Sequence, residues 1–97
     1  MHIIEKITVD RAGRLSLTKV FGKMPEKVVP SFDTKTKKLL FKEVAEGDNP
    51  KMVRIVDSKN RVCLPKWMTE KLGTDYYVCA ESANEHAVLP CKFVFVG

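Results

Sequence analysis

An aspartate followed four positions later by an arginine occurs twice, as Asp10 with Arg14 and as Asp57 with Arg61. Each pair stands among further bases: Arg11, Lys19 and Lys23 around the first, Lys59, Lys66 and Lys71 around the second. Two chemistries suit this pattern. Arginine forks onto a guanine edge and lysine pins phosphate, so the bases suit nucleic-acid binding. Alternatively the carboxylate caps a bend of the chain and the guanidinium bonds loop carbonyls, a purely structural role. Both roles stay open for Arg11, Arg14 and Arg61; for the aspartates the structural role is favoured, because phosphate repels a carboxylate.

Other reactive side chains are sparse. His2 and His86 are the only histidines, and neither stands near a Cys or Asp at catalytic or metal-binding spacing. The five glycines are scattered and form no phosphate loop. Cys63, Cys79 and Cys91 are odd in number and lack a C-x-x-C pair, which argues for reduced, buried thiols, although Cys79 and Cys91 can face each other across a hairpin. Trp67 and the Tyr76-Tyr77 pair read as core or rim residues. The sequence thus predicts no catalytic residue, no metal site and no cofactor.

The elements that must carry the basic residues come from an internal repeat. Residues 9–19, Val-Asp-Arg-Ala-Gly-Arg-Leu-Ser-Leu-Thr-Lys, align without a gap, 47 positions on, with Val-Asp-Ser-Lys-Asn-Arg-Val-Cys-Leu-Pro-Lys, and five of the 11 pairs are identical. Chance gives about one. The β-branched runs at residues 3–9 and 52–56 read as strands that stop at an Asp, which turns the chain. Gly13 and Asn60 accept the positive φ of a tight bend. Leu15-Ser16-Leu17 and Val62-Cys63-Leu64 then alternate, placing the outer two residues of each triplet on one face.

Beyond each block the pattern predicts a short helix, a strand, a polar turn and a second strand. In the first copy these fall at residues 19–24, 28–32, 33–37 and 39–44, and in the second at 65–72, 76–80, 81–86 and 87–96. Pro65 suits the start of the second helix and Gly73 its end, with Trp67, Met68 and Leu72 as the apolar stripe. Gly22 and Pro25 shorten the first helix to about one and a half turns. Residues 46–51, with Glu46-Gly47-Asp48-Asn49-Pro50, have a linker's turn-forming composition.

With 97 residues, 44% hydrophobic and 30% charged, the chain reads as one domain over residues 1–97, since pieces of half that length bury too little surface. Repeat one spans residues 3–45 and repeat two 52–96, sharing a core. The 17 Lys and Arg against 12 Asp and Glu give a charge of +5, which favours polyanions. Charges at Glu5 and Lys6 leave no apolar run for a signal peptide or membrane span, so a cytoplasmic location and no membrane partner are expected.

The doubled pattern Asp-x-x-x-Arg-[Leu/Val]-x-Leu-x-Lys, between a strand and a short helix and followed by a hairpin, resembles the SpoVT/AbrB superfamily, and the double copy resembles its MraZ branch. The resemblance implies a mainly β fold with short helices, a swapped-hairpin β-barrel of two tandem AbrB-like repeats related by a pseudo-twofold axis. Half of such a barrel leaves apolar surface and strand edges uncovered. It also implies a sequence-specific transcription regulator bound to double-stranded DNA through Arg11, Arg14, Lys19, Lys23, Lys59, Arg61 and Lys66. Departures from that pattern are Thr18 where the second copy has Pro65, the interruption at Gly22, Asn60 in place of a glycine, and a shorter chain. The tandem arrangement permits a monomer and does not forbid a homodimer or higher assembly. A competing reading is a protein-interaction module that keeps the barrel without DNA binding, motivated by the acidic connector and the apolar tail Phe93-Val94-Phe95-Val96 as an exposed edge strand. RNA binding through the same basic surface is a third.

Overall fold

Strand and turn chemistry set out above is realised in a computed structural model that describes residues 2–18, 22, 24–82 and 85–94. Among the described residues the strands are β1 (His2–Thr8), β2 (Arg14–Ser16), β3 (Lys27–Asp33), β4 (Lys38–Glu43), β5 (Arg54–Ile55), β6 (Arg61–Cys63), β7 (Asp75–Ala80) and β8 (His86–Pro90), with one α-helix, α1 (Lys66–Leu72). Single 3-10 turns occupy Pro50–Met52 and Cys91–Phe93. The protein is therefore mainly β with short helices.

Six strands form an antiparallel sheet in the order β1-β7-β8-β4-β3-β5, and β2 and β6 form a separate two-stranded ribbon. Among the described residues, hydrogen bonding does not run round as one continuous ring. The strand that opens each half pairs with the hairpin of the other half: β1 lies on β7, and β5 lies on β3. Leu39 opposite Val88 joins the two hairpins. The main cluster of buried side chains mixes both halves, with Leu15, Leu17, Val28 and Leu39 packed among Val62, Leu64, Met68, Leu72, Tyr76, Val78 and Val88. Tyr76 is fully buried; its hydroxyl donates to the Gly73 carbonyl at 2.9 Å, and burial pushes its ionisation up to about 12.

β1 shows how a local irregularity serves two cores. Ile3 pairs with Cys79 and Glu5 with Val78, so Ile4 is an extra residue in a bulge. Strict alternation would put Ile3 and Ile7 on one face. The bulge reverses the phase between them. Ile7 thus packs on the main core, while Ile3 joins Cys79, Ala87 and Leu89 on the other side of the sheet.

Several expected elements differ in extent. The strand expected over residues 52–56 shortens to Arg54–Ile55, with a single bridge from Val56 to Val62 beyond it, because Pro50 starts a 3-10 turn capped by Asn49, whose Oδ1 accepts from the Lys51 N–H at 3.0 Å. The strand expected over 87–96 stops at Pro90, which has no N–H for the ladder and instead precedes the Cys91–Phe93 turn. Phe93 and Val94 are half-buried against the two core clusters, not an exposed edge strand; Phe95 and Val96 lie outside the described residues. The helix expected over 19–24 also falls outside them, apart from Gly22 and Met24, which are not helical. α1 matches its expected span, with Pro65 immediately ahead of it and Gly73 (φ 86°) closing it.

The apolar stripe of α1 is Met68 and Leu72 alone, and Trp67 is exposed. At about 100° per residue, Met68 and Leu72 lie about 40° apart, whereas Trp67 is about 100° away from Met68. All three cysteines are free: Cys79 is buried, Cys91 half-buried and Cys63 exposed. Cys79 stands opposite Ala87, so it does not face Cys91 across the hairpin.

Candidate nucleic-acid interface

The two Asp-x-x-x-Arg segments fold into the same bend, hydrogen bond for hydrogen bond. In the first, Asp10 N–H donates to the Arg14 carbonyl (2.9 Å) and Gly13 N–H to the Asp10 carbonyl (3.0 Å). The Asp10 carboxylate accepts from Ala12 N–H and Arg14 N–H through Oδ1, each at 2.9 Å, and from Arg14 Nε through Oδ2 at 3.0 Å. In the second, Asp57 N–H and Asn60 N–H make the matching backbone bonds, both 3.0 Å. Asp57 Oδ1 accepts from Lys59 N–H and Arg61 N–H at 2.9 Å, and Oδ2 from Arg61 Nε at 2.8 Å. The Arg14 N–H holds the Asp10 carboxyl below the ordinary range and the Arg61 N–H does the same for Asp57, each helped by its guanidinium.

Both turns need a residue at positive φ, and Gly13 (81°) and Asn60 (60°) supply it. Asn60 does more than a glycine can. Its Oδ1 accepts from Met24 N–H at 3.0 Å and its Nδ2 donates to the Gly22 carbonyl at 3.2 Å. Thr18, the counterpart of Pro65, donates its hydroxyl to the Lys59 carbonyl at 3.2 Å. The two sequence departures, Thr18 and Asn60, thus bind the end of the first block to the second bend.

The bends are locked together through the β2–β6 ribbon, in which Arg14 is opposite Cys63, Leu15 opposite Val62 and Ser16 opposite Arg61. Leu17 N–H donates to the Asn60 carbonyl and Leu64 N–H to the Gly13 carbonyl, both at 3.0 Å. The bends therefore sit at opposite ends of one antiparallel ribbon. Leu15, Leu17, Val62 and Leu64 point into the core, which leaves Arg14, Ser16, Arg61 and Cys63 on the outer face. Arg14 also reaches across, its Nη1 lying 3.9 Å from Asp57 Oδ2.

Of the sequence-derived candidates, the fold brings together Arg11, Arg14, Lys59 and Arg61 at the two bends. Arg14 and Arg61 are clamped by their own aspartates and partly exposed. Arg11 and Lys59 are exposed at the turns, and among the described residues neither makes an ion pair. Lys66, at the start of α1, is strongly exposed with its Nζ 3.9 Å from Glu70, a contact of little energetic worth. Lys19 and Lys23 lie outside the described residues. Lys38, the first residue of β4, is ion-paired with Glu81. Sequence reasoning missed Trp67 as a surface residue, although its angular offset from Met68 and Leu72 contained that information.

Among the described residues no group of three or more His, Cys, Asp or Glu is placed to hold a metal ion, and no helix is long and apolar enough to cross a membrane. No family model, curated protein or solved structure matches this chain.

Proposed function

We propose that this chain is a sequence-specific double-stranded DNA-binding protein of the transcription-regulator kind, built as two AbrB-like units, residues 3–45 and 52–96, in one swapped-hairpin domain. The observation that carries this reading is the pair of superposable, Asp-clamped bends held at the two ends of one ribbon. Such an arrangement offers two equivalent sets of cations, close together and at a fixed separation, to the phosphates and base edges of one stretch of duplex. Each clamp also removes side-chain freedom from Arg14 and Arg61 before any ligand arrives, which lowers the entropic cost of binding. The clamp aspartates are already engaged by backbone and guanidinium donors, so they fix the geometry while Arg11, Arg14, Lys59 and Arg61 face the polyanion. Because the bends carry Arg-Ala-Gly in one and Ser-Lys-Asn in the other, the target is an imperfect inverted repeat. The exchange of β1 and β5 between the halves supports the swapped arrangement.

Titration of the chain against duplex DNA at several salt concentrations tests the reading. Affinity should fall with a log-log slope of about 0.9 per phosphate engaged, and Arg11→Ala with Lys59→Ala should weaken binding and lower that slope. A flat salt response, or no binding at moderate salt, refutes it.

A further inference from the structure

Two surface features take no part in the bends. Trp67 is the single tryptophan of the chain; it is 42% exposed and belongs to neither core cluster. Its neighbour on the same flank of α1 is Lys71, about 40° round the helix. At that end of α1, Lys92 Nζ donates to the Lys71 carbonyl. Lys92 and Lys37, from separate turns, each hold their ammonium 5.3 Å from the centre of the Phe93 ring, which is itself seated on Phe32 at 5.9 Å between centroids.

Lys37 and Lys92 thus bring two ammonium groups to the Phe93 ring, next to the end of α1 that carries the exposed Lys71. Glu70 is the partner of Lys66 and Glu81 of Lys38, and Asp33 accepts the N–H groups of its own turn. Among the described residues Lys37, Lys71 and Lys92 make no ion pair. The other end of α1 is tied to the first bend through Leu64 N–H and the Gly13 carbonyl. Seven helical residues cover about 10 Å, and one DNA strand carries a charge about every 3.4 Å of axis, so this span matches about three phosphates.

We propose that a duplex held at the bends continues along the outer flank of α1, with Trp67 packed against its sugars or base edges and Lys37 and Lys92 on its phosphates. This rests on the DNA-binding reading above.

Acrylamide quenching of Trp67 during duplex titration, together with the salt dependence of the Lys37→Gln/Lys92→Gln variant, tests this. Gln removes the charge while keeping most of the bulk and an N–H donor one bond nearer the backbone. Expected are at least a twofold drop in quenching at saturation and a log-log salt slope smaller by about 1.8, two phosphates' worth. Salt-steep binding with Trp67 equally quenched, or with the variant's slope unchanged, overturns this extension and leaves the bends' role standing. Absence of any duplex binding overturns the DNA-binding reading itself, and the extension with it.

Discussion

Replacing Leu15 with alanine probes whether the two halves stand or fall together. Leu15 is fully buried and lies opposite Val62 in the β2–β6 ribbon, so truncation opens a cavity where the halves meet. Removal of a leucine from a closed core costs about 3 kcal/mol, a large share of the roughly 5–15 kcal/mol that stabilises a domain. With a urea dependence of about 1.5 kcal/mol per molar, the midpoint should fall by about 2 M. The assay is urea unfolding followed by Trp67 fluorescence. Trp67 lies in the second half, 52 residues further on, and reports on that half alone. Leu15→Ala should shift the Trp67 transition by the full amount and keep it coincident with the loss of far-UV circular dichroism. A Trp67 transition left at the wild-type midpoint, with a separate earlier loss of strand signal, would refute the shared core.

Three further outcomes follow from particular contacts. Gly13→Ala should destabilise by about 1 kcal/mol in the same assay: the added methyl would meet only Cys63 Sγ at 3.7 Å, so the cost is that of positive φ without a clash. Asp10, Asp33 and Asp57 all have lowered folded pKa values, each chiefly through a backbone N–H: Arg14, Lys35 and Arg61 respectively. Their contribution to stability is complete above the unfolded value of about 3.8 and lost as pH falls through the lower folded values; thermal melts from pH 6 to 2 should show that decline, and Asp10→Asn/Asp57→Asn should flatten it. Thiol labelling of the native protein at pH 8 should modify Cys63 within the first phase and leave Cys79 unreactive until denaturant is added, because Cys63 is exposed whereas burial pushes the Cys79 thiol up.

Much of the local structure was legible in the sequence because short-range chemistry specifies it. Asp-x-x-x-Arg followed by an alternating triplet contains the carboxylate that folds back on its own N–H groups, the residue that accepts positive φ and the two apolar side chains that face inward. All of these recur at both copies. Strand ends were less legible wherever proline acted, as at Pro50 and Pro90, since periodicity records apolar spacing and not the loss of a ladder donor. The exposure of Trp67 lay in the helical angles, but its hydrophobicity suggested the core.

What the residues alone determined is the pair of bends and the apolar triplets that follow them. Only the tertiary structure decided that β1 crosses to β7 and β5 to β3, and that Arg14 comes within reach of Asp57. It also decided that Lys37 and Lys92 gather beside Phe93. Those outcomes depend on contacts between residues dozens of positions apart, which no spacing along the chain encodes. They arise when two incomplete sheets cover each other's edges and carry their surface charges into register.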